Sequence, residues 1–391
     1  MLQLSPVFSS NLAKDVYQLT KTDSLEQAVS ALKAKYGDIL TVADKNMITG
    51  KTGGPGIIKS KTAFGFVMLG KGKYDKHAFI LFRGTQYLGD WLTNFNIGTS
   101  RSYFAQPVHD GFNTSFKSML PKVKEFVNGL GKDIIAVHCI GHSLGGALAT
   151  ICAEWIKSST SRSPYLYSFG SPRVGFHGFA DKCTKNLGAE RIFRAYHKTD
   201  IVPCIPFWPF VHTPNAGVDY YLPSPGAVPA AKYHDMDEYI KSVKDKTWPQ
   251  LSKLKEPKNN ASIERWLKKG GPVGFTMAAL EWLNDALLYV LKKCLDVIKG
   301  TLCLALSSGL TLMDQLAYIF KKGIDISEKV SGWVVYLIRK IMSFLGLSKV
   351  VQAADMTTSF IRNIFHELSR RVGEFCQRTL DSVLVDGRGL S

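Results

Sequence analysis

The C-terminal third of this 391-residue sequence lacks an apolar run long enough to cross a bilayer. Its longest uncharged stretch, GTLCLALSSGLTLM at 300–313, falls short of the roughly eighteen residues that a spanning helix needs. The N-terminus, MLQLSPVFSSNLAKDVYQLT, lacks a basic segment followed by an apolar core. The expectation from this segment is that no secretory signal of the usual form is present. The expectation is synthesis in the cytoplasm, with any export by a signal-independent route and action at a membrane. Metal-type cysteine spacing is missing as well. The seven cysteines (Cys139, Cys152, Cys183, Cys204, Cys294, Cys303 and Cys376) are odd in number and scattered. They imply neither a disulfide framework nor a metal site, and suit a reducing compartment. Acidic residues are scarce: 32 Asp and Glu against 49 Lys and Arg leave a net charge of +17. Such an excess favours an acidic partner. Arg-rich tracts interleaved with aromatics are absent, which argues against nucleic acid and leaves an anionic membrane surface or an acidic protein.

What is present alternates between strand and helix. Residues 8–40 read as helix, with SLEQAVSALKAKYG at apolar spacing near the helical period and Gly37 as its stop. KTGGPG at 51–56 reads as a loop. TAFGFVML (62–69) and HAFILFRGT (77–85) read as strands joined by a Gly/Lys turn. SFKSMLPKVKEFVNGLG is a helix leading into the strand DIIAVHCIG, and a further helix runs from Ser143 to about Lys157. PYLYSFGSPRVG and RIFRAYHKTDIVPCIP each give a strand ending in a loop. This order predicts a mainly parallel α/β sheet. The pattern breaks at KLKEPKNNAS. Beyond it lie amphipathic stretches with few strand signals, so the chain divides into an α/β unit over 1–255 and an all-helical C-terminal region over 256–391.

At 134–150 the sequence reads IIAVHCIGHSLGGALAT. A serine sits between two glycines where a strand becomes a helix. Small flanking residues permit a sharp turn there, and unpaired N–H groups at the helix start favour developing negative charge. Taken alone, G-x-S-x-G is also compatible with an ordinary turn. Its position between an apolar strand and a small-residue helix makes Ser143 the candidate nucleophile. A serine hydroxyl needs a histidine to take its proton and an acid to orient that histidine. Both are expected downstream, in the order Ser, Asp, His. Asp200 closes a strand ahead of a Pro-rich loop and is the preferred acid, with Asp219 as the rival. Of the histidines, His197 lies too close to Asp200 in the same strand. His212 precedes a strand and suits a loop or substrate role. His234 opens a short helix after a loop and is the preferred base. The Leu144 N–H is one oxyanion donor. Thr85, where the strand FILF stops at Arg-Gly-Thr, is the other.

Together these residues resemble the class 3, fungal-type lipases. FRGT with DWLTNF after it, VHDGF (108–112), GHSLGGALAT (141–150), YSFGSPRVG (167–175), TDIVPCIP (199–206) and YHDMDEYI (233–240) occur in that family's order, within residues 60–242. The resemblance implies an α/β-hydrolase fold and hydrolysis of lipid esters through an acyl-enzyme, with no cofactor and no metal. It assigns Ser143 as nucleophile, Asp200 as acid, His234 as base and Thr85 as oxyanion residue. The family also often carries a lid after the oxyanion residue. Here that segment is QYLGDWLTNFNIGTSRSYFAQP, with Tyr87, Trp91, Phe95, Tyr103 and Phe104. These aromatics either cover the site in water or lie buried under a fixed loop.

The departures are the missing signal and disulfides of secreted members, and a basic helical tail. In that tail LLYVLKKCLDVIKG and WVVYLIRKIMSFLGL set Lys and Arg among large apolar residues. Such helices bind an anionic membrane interface, pack on one another or on the α/β unit, or present a surface to a protein partner. A class 3 core with an extra helical region and no signal also resembles delivered bacterial effector lipases, for which an immunity protein is the expected partner. Phospholipid cleavage of the phospholipase A type is the first expectation. Hydrolysis of neutral glycerides or small esters is the second, and a membrane-inserting protein on a lipase-like scaffold the third.

Overall fold

Strand residues in this chain are buried on both sides, so its sheet needs cover on two faces. The structure is a computed structural model and describes residues 3–21, 24–52, 60–85, 98–215, 219–251, 259–298, 311–347 and 351–385. Its strands are β1 (Met47–Thr52), β2 (Ser60–Leu69), β3 (His77–Phe82), β4 (Thr99–Arg101), β5 (Pro107–His109), β6 (Ala136–His142), β7 (Tyr165–Phe169), β8 (Ile192–His197) and β9 (Tyr220–Leu222). Its main helices are α1 (Pro6–Asp15), α2 (Leu25–Tyr36), α3 (Asp110–Asn128), α4 (Leu144–Ser159), α5 (His177–Leu187) and α6 (Met236–Val243). They continue with α7 (Asn260–Lys268), α8 (Met277–Ile298), α9 (Leu312–Ile326), α10 (Glu328–Phe344) and α11 (Thr358–Val385).

Among the described residues, the large sheet has the order β1-β2-β3-β6-β7-β8-β9. From β3 onward each pair is parallel, while β1, β2 and β3 pair antiparallel. The parallel sheet expected from the alternation therefore carries an antiparallel edge. β1 passed unnoticed in the sequence because MITGKT is short and half polar; it also takes Lys51 and Thr52 from the segment read as a loop. β4 and β5 form a separate two-stranded ribbon.

Alternation along β3 shows how the faces are filled. Ala78, Ile80 and Phe82 join one buried cluster, and Phe79 and Leu81 join the other, as the two-residue period of a strand requires. The first cluster takes residues of α3 and α4, and the second takes Leu12, Ala13, Val29, Leu32 and Tyr239 from α1, α2 and α6. The long N-terminal helix expected over 8–40 is broken. α1 ends at Asp15, α2 begins at Leu25, and among the described residues a single turn, Gln18–Lys21, lies between. The break turns the buried Tyr17 side chain toward the sheet, where it meets His142. The six described cysteines are buried, and none of them forms a disulfide among the described residues.

The C-terminal helices extend the first cluster. Leu283, Leu287, Phe320, Val334, Phe365 and Leu368 share it with Ile205, Phe207 and Trp208 of the loop that follows β8. The Trp208 ring lies 5.6 Å from that of Phe320 and 5.3 Å from that of Phe365. Arg173 donates to Asn284 Oδ1 at 2.9 Å, and the Met277 N–H to the Ala227 carbonyl at 2.9 Å. α11 passes beside the turn 231–234. Among the described residues, no helix is long and apolar enough to cross a membrane.

Candidate active site

Ser143 stands between the end of β6 and the start of α4, with φ +56° and ψ −131°. A side chain rarely adopts this left-handed backbone, and a residue is held there only where its surroundings fix it. The Ser143 N–H donates to the Phe169 carbonyl at 3.0 Å, and the Gly146 N–H returns to the Ser143 carbonyl at 2.9 Å. The neighbouring glycines are there for close approach. A Cβ on Gly141 would lie 2.1 Å from the Gly145 carbonyl oxygen, and one on Gly145 would lie 2.1 Å from that of Phe82. The turn can therefore form only with both positions bare.

The sequence separates the remaining groups widely, and the topology gathers them at the carboxyl end of the sheet. His234 Nε2 is 3.0 Å from Ser143 Oγ, and His234 Nδ1 is 2.9 and 3.1 Å from the two oxygens of Asp200. An ionised carboxylate only accepts, so Nδ1 carries the proton and Nε2 is left to accept from the serine hydroxyl. Asp200 is fixed in turn. Its Oδ2 accepts from the Tyr239 hydroxyl at 2.7 Å and its Oδ1 from the Val202 N–H at 3.0 Å. Gly170, at φ +54°, leaves the space this pair occupies: a Cβ there would meet Asp200 Oδ2 at 2.7 Å and His234 Nδ1 at 3.0 Å. All three triad groups are at most 2% exposed.

Asp219 and His212 lie elsewhere. Asp219 forms a two-point ion pair with Arg194, at 3.1 and 2.6 Å. His212 stacks over Tyr196 with centroids 6.4 Å apart. His197 Nδ1 and Nε2 meet the Tyr233 carbonyl and the Ser242 hydroxyl, so its ring supports the segment that carries His234. Leu144 is buried at the first position of α4. The Gly84–Thr85 turn lies beside Ser143; a Cβ on Gly84 would touch Ser143 Cβ at 3.0 Å. Thr85 is half-buried at that turn. Of the aromatics in the segment after it, Tyr87, Trp91 and Phe95 lie outside the described residues. Tyr103 and Phe104 pack against the core, with Tyr103 edge-on to Phe116 at 6.1 Å.

Residues 79–210 match the family model for lipase (class 3). This segment is similar to the class 3 lipases. Among curated proteins, the chain is 35% identical over 136 residues to a secreted mono- and diacylglycerol lipase 1 from Fusarium solani, covering 34% of this chain and 40% of that protein. It is 27% identical over 222 residues to phospholipase A1-II 1 of Oryza sativa subsp. indica, covering 48% of this chain and 54% of the other. The chain thus spans about half or less of the length of these relatives. Among solved structures, the native Rhizomucor miehei lipase propeptide complex aligns with a TM-score of 0.42 and 24% identity, over 55% of this chain and 66% of that one.

The matched segment holds Thr85, Ser143 and Asp200 but not His234, and besides Tyr239 two further groups that reach the site, Tyr17 and His142, were missed in the sequence. The Gly84 N–H donates to the Tyr17 hydroxyl oxygen at 2.9 Å. That hydroxyl therefore turns its proton to His142 Nδ1, also at 2.9 Å. His142 then donates from Nε2 to the His234 carbonyl at 2.8 Å. This chain of bonds joins the Gly84–Thr85 turn to the backbone of the base. Burial holds the His142 pKa well below the usual histidine range, so the ring stays neutral and keeps one donor and one acceptor. His142 sits inside the quoted GHSLGG motif, but no local signal pairs it with a tyrosine 125 residues earlier. Glu154 is another missed group. Fully buried on α4, it accepts from the Phe104 N–H at 2.6 Å, and burial pushes its pKa up to about 7.

Proposed function

We propose that the chain is a serine lipid esterase that cleaves acyl esters of membrane glycerophospholipids in the phospholipase A manner. Ser143 Oγ attacks the ester carbonyl while its proton passes to His234 Nε2. Asp200 holds the imidazole in the accepting tautomer and balances the charge it gains. Thr85 and the Leu144 N–H receive the oxyanion. His234 returns the proton to the leaving alcohol as the tetrahedral intermediate collapses to an acyl-enzyme. Water, activated by the same histidine, then releases the fatty acid and restores the serine. The observation that carries this reading is the unbroken Ser143–His234–Asp200 hydrogen-bond path at the strand ends. Supporting it are phospholipase A1 relatives from rice and Arabidopsis thaliana and the net charge of +17, which favours an anionic lipid surface.

Neutral glycerides are the second reading, favoured by the 35% identity to the mono- and diacylglycerol lipase. Mass spectrometry of products from phosphatidylcholine–phosphatidylglycerol vesicles and from a diolein emulsion separates the two. Free fatty acid and lysophospholipid from the vesicles, absent with Ser143→Ala, is the expected result. Release from diolein alone favours the second reading, and release from neither contradicts both. Delivery into another cell as a toxic effector, with an immunity protein against the C-terminal helices, belongs to the same proposal. It predicts growth arrest when the chain is directed to a bacterial periplasm, and none with Ser143→Ala. Vesicle leakage that survives Ser143→Ala would instead favour membrane insertion on a lipase-like scaffold.

A further inference from the structure

The C-terminal helices enclose a crevice of about 240 Å³ lined by Phe275, Phe344, Leu345, Gly346, Phe375 and two arginines, Arg371 and Arg378. Its wall is aromatic. Phe275 stacks on Phe344 with centroids 4.4 Å apart and meets Phe375 at 4.3 Å. The Val273 N–H donates to Ser343 Oγ at 3.0 Å and pins the strand of chain that carries Phe275 to the end of α10. Just past Gly346, Leu347 is 44% exposed, an apolar side chain left in solvent beside an apolar opening.

The charge at this opening is of one sign and regularly placed. Arg371, Phe375 and Arg378 follow at spacings of four and three on α11, which sets all three on one helix face, with the arginines about 10 Å apart along the axis. Both arginines are exposed. Arg371 Nε meets Glu367 at 3.3 Å, and Arg378 Nε donates to the Glu374 carbonyl at 3.3 Å. A guanidinium carries five donors, so each retains several for an anion.

We propose that this crevice is a second lipid site, taking part of one acyl chain of an anionic single-chain amphiphile with its headgroup held between Arg371 and Arg378. The apolar wall disfavours a bare phosphate, and the paired guanidinium groups favour a charged head over a neutral glyceride. The volume falls below the roughly 300–1,000 Å³ of sites that enclose a drug-sized ligand, which fits part of one chain rather than a two-chain lipid. A fatty-acid carboxylate and a lysophospholipid phosphodiester share the required chemistry. The lining shares no residue with the triad, and the probe binds without being cleaved, so the test does not depend on hydrolysis.

The full-length Ser143→Ala chain is photolabelled with a diazirine-bearing palmitate and mapped by peptide mass spectrometry. The expected result is label on the peptides holding Phe344–Leu347 and Phe375, displaced by oleate or lysophosphatidylglycerol and not by monooleoylglycerol. Displacement by oleate alone identifies the carboxylate as the ligand head, and displacement by both shows that the site also takes the phosphodiester. Adding Arg371→Gln and Arg378→Gln is expected to lower that labelling about tenfold, with an unchanged helical melting curve. If that variant fails to fold, the competitor panel on the parent chain decides by itself. No label at these peptides, or equal displacement by monooleoylglycerol, overturns the proposal, as does labelling indifferent to the two substitutions in a folded variant.

Discussion

The α/β core and the C-terminal helices bury different chemistry. At the carboxyl end of the sheet the core buries Ser143, His142, Asp200 and His234, each tied to named partners, and it also buries further polar groups such as Arg173 and Arg194. Across the described parts of the C-terminal helices, the buried polar residues are Asn284, Lys340 and Ser369. Asn284 meets Arg173 of the core, and Lys340 bonds the Lys269 carbonyl. The difference separates two kinds of work. The core holds a few groups in one geometry at the cost of burying them, which demands full hydrogen bonding. The helices are joined to it mainly through apolar contact, and in their described parts Lys340 is the one buried charged side chain.

The sharpest way to break this comparison is at the nucleophile. Ser143→Ala is expected to lower kcat/KM on a lipid ester by about 10⁴-fold or more, while binding of an anionic amphiphile at the helical crevice persists. Next is the seam between the regions. Trp208 meets both Phe320 and Phe365, so Trp208→Ala is expected to cost about 3–5 kcal/mol in denaturant unfolding. If the helices are integral to the core, one transition shifts as a whole; two separate transitions would show that the helices melt alone.

Tyr17→Phe is smaller and local. It removes the acceptor for the Gly84 N–H and the donor to His142, and is expected to lower kcat about tenfold with KM little changed, a loss of about 1.4 kcal/mol. A rise in KM alone would mean that Tyr17 serves binding rather than the geometry of the base.

The last effect concerns pH. The Glu154 pKa is raised by burial to about 7, so the folded state binds this proton more tightly than the unfolded chain does. Its contribution to stability is present below the ordinary carboxyl pKa and is lost as pH rises toward 7. Glu154→Gln is expected to remove that loss, so its stability relative to wild type improves between about pH 4.5 and 7. Chemical denaturation at a series of pH values measures the difference. An identical slope in both proteins would rule out the ionisation of Glu154 as a cost to the fold.

The triad was legible because each member marks a local event: a strand meeting a helix at Ser143, a strand end at Asp200, a short helix start near His234. The α/β alternation was legible for the same reason, as an apolar period that changes from two to near four. Tyr17, Gly170 and Tyr239 were not, since their roles come from contacts between distant segments that no local pattern encodes. The antiparallel edge was hidden by the polar half of β1. The C-terminal helices showed their amphipathic faces in sequence but not what those faces meet; Trp208, in a Pro-rich loop, supplied no periodic signal.

The central claim is that Ser143 Oγ is an activated nucleophile. Reaction of the full chain with a long-chain alkyl p-nitrophenyl phosphonate tests it directly, because the adduct forms a bond to the attacking oxygen and releases p-nitrophenol. The account predicts one adduct per chain on the peptide that contains Ser143, formed far more slowly in His234→Ala. No adduct, or an adduct on another residue at the same rate in both proteins, would contradict it.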